Sequence, residues 1–128
     1  MNPFCLTRPV AAIVLALSTG FGATAAMAEA WGSISVDFPG EGVSMASPAY
    51  GVGGGATKEE AIANAQKFCA ESGGKVCKTA ISYETCGAYA ASSKHGGVGM
   101  AATKKLAQAN AIAACNEDAC KIVIADCN

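Results

Sequence analysis

Three kinds of residue in this chain could do chemistry: cysteines, one histidine beside serines, and glycine, threonine and lysine clustered at helix starts. Cys69, Cys77, Cys86, Cys115, Cys120 and Cys127 form an even set of six, and Cys5 stands apart near the N-terminus. Zinc binding favours close pairs such as C-x-x-C, whereas the nearest two of the six are five residues apart. Disulfides need only an oxidising compartment, and they suit a chain too short for a large core. The six are therefore read as structural disulfides, with no metal site. His95 is the only histidine and follows Ser92-Ser93-Lys94. As a catalytic candidate it would need an orienting carboxylate; none is read as its partner from sequence proximity, and Glu84 and Asp126 are possible only if the fold brings them in. Without one, His95 is an exposed turn residue.

Gly51-x-Gly53-x-x-Ala56 and Gly97-x-Gly99-x-x-Ala102 both fit a relaxed dinucleotide fingerprint. That fingerprint works only in parallel β-α-β units with an acidic residue further on, and this chain is too short for a doubly wound sheet. No cofactor is expected, and the glycines are read as tight turns and close backbone packing. A weaker possibility is anion binding at the helix starts, with Thr57-Lys58 or Thr103-Lys104 holding a sulfate or carboxylate.

These clusters repeat. Residues 51–69 return as 97–115 with an offset of 46 and eleven identities in nineteen aligned positions, among them Ala61, Ala63, Asn64, Ala65 and Cys69. An internal duplication follows, with repeat one at about 31–85 and repeat two at about 86–128. Six cysteines allow fifteen pairings, and the repeat narrows them. Each helix-ending cysteine precedes a Cys-Lys pair at a loop's distance, which predicts Cys69–Cys77 and Cys115–Cys120 as equivalent bridges and leaves Cys86–Cys127.

The first 28 residues read as a secretory signal: Arg8, an apolar run from Val10 to Leu17, and the cleavage site Ala26-Met27-Ala28. The apolar run is too short for a membrane anchor, so no span remains after cleavage and Cys5 leaves with the signal. The expected protein is the single domain 29–128, secreted or periplasmic. It carries eight lysines against ten carboxylates, a formal charge of −2, and its few aromatics are not clustered with lysines. Nucleic acid is excluded as a partner on that balance.

The elements that must position these residues can be read from pattern. Trp31 to Asp37 alternates as a half-buried strand with Trp31 towards the core, and residues 39–49 form a Gly/Ser/Pro loop. Tyr50 to Gly53 re-enters the sheet. Thr57 and Glu60 form a capping box that starts a helix, whose inner face is Ala61, Ala65, Phe68 and Cys69. Thr103 starts the second helix, with Ala107, Ala111, Ala114 and Cys115 inward and Leu106 where the box glutamate would stand. Extended runs follow each helix at 76–83 and 121–125, and Cys86 to Ala90 takes the place of Trp31 to Ser35. The fold class is α+β: a strand-strand-helix-strand unit used twice, two helices packed on a mainly antiparallel sheet, stabilised by disulfides.

Trp31-Gly32, the Ala56-Thr57-Lys58 helix ending at Cys69, Cys77-Lys78, Cys86-Gly87-Ala88, the second Ala-Thr helix ending at Cys115, Cys120-Lys121 and Cys127-Asn128 together resemble the exported bacterial domain of unknown function 4189. The resemblance covers essentially the whole of 29–128. It implies a small secreted domain and carries no catalytic residues to transfer. Loop 39–49 departs from the pattern, and Met45 within it is a candidate contact, since loops on a rigid scaffold are where binding concentrates. Function is therefore expected to be non-enzymatic: binding of an unidentified protein partner, or interaction with the envelope or a host surface. The alternative is a small secreted hydrolase or toxin-like effector using His95.

Overall fold

In the computed structural model residues 30–38, 40 and 44–128 are described; the segment 1–28 read as a signal, and part of loop 39–49, lie outside them. Eight elements follow in chain order: β1 (Trp31–Asp37), β2 (Tyr50–Gly55), α1 (Lys58–Glu71), β3 (Cys77–Tyr83), β4 (Cys86–Ala91), β5 (Gly96–Ala101), α2 (Lys104–Cys115) and β6 (Lys121–Cys127). The class is α+β with antiparallel pairing throughout. The strands divide into two three-stranded sheets, ordered β2-β1-β3 and β5-β4-β6. Local pattern reports alternation but not which strands share a sheet.

The alternation of β1 and β4 explains the layers. Ile34 and Val36 of β1, with Ile81 and Tyr83 of β3, meet Tyr89 and Ala91 of β4 between the two sheets. The opposite faces receive the helices: α1 covers the first sheet, and α2 covers Cys86, Ala88 and Ala90 of the second. The order through the molecule is helix, sheet, sheet, helix. Each helix buries only three residues, Ala61, Ala65 and Cys69 in α1 and Ala107, Ala111 and Cys115 in α2. Phe68 and Ala114, expected on those faces, point outward, Phe68 at 46% exposure. A helix face of alanines buries little area, so packing alone holds each helix weakly.

Three disulfides supply the difference: Cys69–Cys77 ties the end of α1 to the start of β3, Cys115–Cys120 ties the end of α2 to the approach to β6, and Cys86–Cys127 joins the first residue of β4 to the last of β6. The sheet edges are blunted in matched ways. Asn64 Nδ2 donates to the Gly54 carbonyl of β2 at 2.8 Å, and Asn110 Nδ2 to the Met100 carbonyl of β5 at 3.3 Å. The pairings to the other two edges, β3 and β6, each contain a register shift, at Ile34/Ser35 and at Tyr89/Ala90. Such irregularities discourage pairing with another chain.

Candidate functional site

His95 closes the turn between β4 and β5, where its carbonyl accepts from Ser92 N at 2.8 Å. Ser92 is 2% exposed; its hydroxyl donates to Glu117 Oε2 and accepts from the amides of Lys94 (3.2 Å) and His95 (3.0 Å). His95 Nε2 lies 3.9 Å from the same Glu117 oxygen. The carboxylate thus stands between serine and histidine, whereas nucleophilic catalysis needs the imidazole to take the serine proton directly. The arrangement fixes a turn. Glu117 is the residue that sequence reading missed, because it sits in the Cys115–Cys120 loop and only the fold brings it to His95. Of the carboxylates named from sequence, Asp126 accepts from the Tyr83 hydroxyl at 2.7 Å, and Glu84 is elsewhere, in the cleft described below.

Both helix starts are occupied by their own caps. Thr57 Oγ1 accepts from Glu60 N at 3.2 Å, and Glu60 Oε2 accepts from Ala56 N at 3.0 Å, one residue before the cap. Thr103 Oγ1 accepts from Leu106 N at 3.2 Å. The fingerprint glycines serve close packing: a Cβ at Gly53 would strike the α1 backbone at Ala61 and Ala65, and one at Gly99 the α2 backbone at Ala107 and Ala111. Thr57-Lys58 and Thr103-Lys104 lie on opposite outer layers, so the two candidates form no common site. Met45 is half-buried and its amide donates to the Ser93 carbonyl at 3.3 Å, which places the end of loop 39–49 against the His95 turn.

A cleft of about 440 Å³ lies at the end of the molecule where β3 hands over to β4, within the range of small-ligand sites. Trp31, Lys58, Ser82, Tyr83, Glu84, Thr85, Cys86, Met100 and Ala101 line it. Trp31, expected in the core, is half-buried here, because it is the first residue of β1 and the sheet ends beside it. The Lys58 ammonium stands 5.9 Å from the Trp31 ring centroid, a cation–π distance. Met100 is 57% exposed. Tyr83 forms the floor: its ring lies where side chains at Gly32 and Gly87 would be, so those two glycines make room for it between the sheets. A second cleft of about 330 Å³ lies between Ala46–Pro48, Tyr50 and Lys121–Val123.

With this geometry in hand, a family model described as "Domain of unknown function (DUF4189)" matches residues 31–127. The chain belongs to that family. The DUF4189 match runs from Trp31 to Cys127 and so takes in the whole cleft and all three disulfides. No curated protein and no solved structure matches the chain. Among the described residues of this DUF4189 domain, no helix is long and apolar enough to cross a membrane, and no group of three or more His, Cys, Asp or Glu gathers at a metal-binding distance.

Proposed function

We propose that this DUF4189 domain is an exported, disulfide-held binding module without enzymatic activity, which engages a protein partner or an envelope or host surface through the Trp31 cleft. The observation that carries the reading is the half-exposed Trp31 with the Lys58 ammonium over its ring and exposed Met100 on the same cleft. Tryptophan is among the residues most enriched at binding hot spots, and a cation and a thioether beside it add both polarity and adaptable contact. Three disulfides in a small domain support an oxidising compartment, in line with removal of residues 1–28 on export. The two halves are then copies of one duplicated unit. The hydrolase alternative is disfavoured because Ser92 is buried and gives its hydroxyl proton to Glu117.

The test uses protein purified with its disulfides intact, and reads saturable binding to envelope and host-surface extracts. Trp31→Ala is expected to weaken binding about tenfold or more, the size of a hot-spot loss, and reduced, alkylated protein to lose it. Equal binding by wild type and Trp31→Ala would move the contact away from the cleft and sink this reading. Hydrolytic activity lost in His95→Ala would restore the alternative.

A further inference from the structure

We infer that the ligand class of the Trp31 cleft is a saccharide of one or two rings; the inference rests on the binding reading above and narrows it. The lining alternates in character over a short distance. Trp31 and Met100 offer apolar contact, while Lys58, Glu84 and Thr85 offer donors and acceptors around them. Among the described residues neither Lys58 nor Glu84 has an ion-pair partner, so the ammonium and the carboxylate both keep hydrogen-bonding capacity for a ligand. Ser82 adds an acceptor, since its hydroxyl proton goes to Ser33 Oγ at 3.2 Å.

A pyranose has this pattern in complement: an apolar C–H face that packs against apolar surface such as Trp31 and Met100 present, and a rim of hydroxyls that both donate and accept. A peptide suits the cleft less well. It would draw affinity from a main-chain ladder on a strand edge, and the β5 main chain at the cleft is engaged by Asn110 through the Met100 carbonyl. The β3 edge that borders the other side carries the register shift of its pairing with β1. A simple anion would leave Trp31, Met100 and the Glu84 carboxylate without a role.

Trp31 is the only tryptophan, so its fluorescence reports on the cleft directly. The probes are cellobiose, chitobiose and digalacturonate, which distinguish neutral, N-acetylated and acidic sugars, with an equal series of unstructured peptides. Titration runs to about 10 mM, beyond the weak end of specific binding. At least one disaccharide is expected to give a saturable change in emission, confirmed by calorimetry. Glu84→Gln and Met100→Ala, both at exposed positions, are expected to weaken it about fivefold or more. A saccharide response that is unchanged in both variants overturns the inference, as does saturable binding of peptides alone. Failure of all sugars while Trp31→Ala still abolishes capture of a surface partner overturns the saccharide class and leaves the binding reading standing. Failure of every probe and of capture removes both.

Discussion

At the end of the molecule that holds the cleft, the two halves solve the same position differently. Gly32 pairs with Tyr83 in the first sheet as Gly87 pairs with Asp126 in the second. One step outward, the second half has Cys86 opposite Cys127, joined as a disulfide. The first half has Trp31 and Glu84 in those places. Where one sheet is closed by a covalent staple, its counterpart is left open and lined by an indole and a carboxylate. The scaffold tolerates this because the staple in one half and the floor residue Tyr83, reaching across to Asp126 at 2.7 Å, hold both sheets at that end. The cleft opens beside this unstapled pair and is bounded on its other side by Cys86, Met100 and Ala101 of the second sheet.

The largest test of this difference is to remove the staple. In the chain-entropy view the Cys86–Cys127 bridge closes a loop of 41 residues and contributes about 4 kcal/mol, against about 2.5 for Cys69–Cys77 and about 2 for Cys115–Cys120. Paired Cys→Ala variants compared by chemical denaturation should therefore rank in that order. A Cys86/Cys127 double variant that loses no more than the local bridges would mean that the staple and the cleft are not alternatives, and that the first half is held by something else at this end.

The next largest effect concerns the tie between the halves. Tyr83→Phe keeps the ring between Gly32 and Gly87 but deletes the hydroxyl that donates to the Asp126 carboxylate, a hydrogen bond to a charged group worth about 2 kcal/mol. Its denaturation midpoint should fall accordingly. Trp31 fluorescence in the native state should also shift, because the floor of its cleft would lose its anchor. A midpoint change without any change at Trp31 would show that the tie supports the core and not the cleft.

Much of this fold is legible in the sequence, and the particular residues show why the rest is not. Helix starts follow from Thr57, Glu60 and Thr103, whose capping bonds are local and depend on nothing distant. Strands follow from alternation, as in Ile34 and Val36. The division into two sheets does not, since a strand's own residues look alike whichever partner it takes. Phe68 misled for the same reason: helical spacing allowed it on the inner face, and the short, glycine-lined sheet has room there only for Ala61, Ala65 and Cys69. Of the cleft, Lys58 is visible in the sequence as an isolated candidate, whereas the strand pattern assigns Trp31 to the core. That they meet, with Glu84 and Met100, depends on the handover from β3 to β4, which is a long-range property. Glu117 was hidden likewise, being placed beside Ser92 by a loop that a disulfide closes.

The smallest expected effect sharpens the comparison from the other direction, by making the second half more like the first. The α1 capping box is complete, with Thr57 and Glu60 each engaged, and the first turn holds Glu59 and Glu60. The first turn of α2 has no acidic residue, and Leu106, 52% exposed, stands at the position of the box glutamate. Leu106→Glu would supply the reciprocal acceptor and place a negative charge at the positive end of the helix dipole, without removing a buried contact. A gain of about 0.5 kcal/mol is expected, reduced at high salt because the dipole contribution is screened. If the variant is instead destabilised, Leu106 contributes to packing that its exposure does not reveal. The difference between the two helix starts would then be a requirement of the second half.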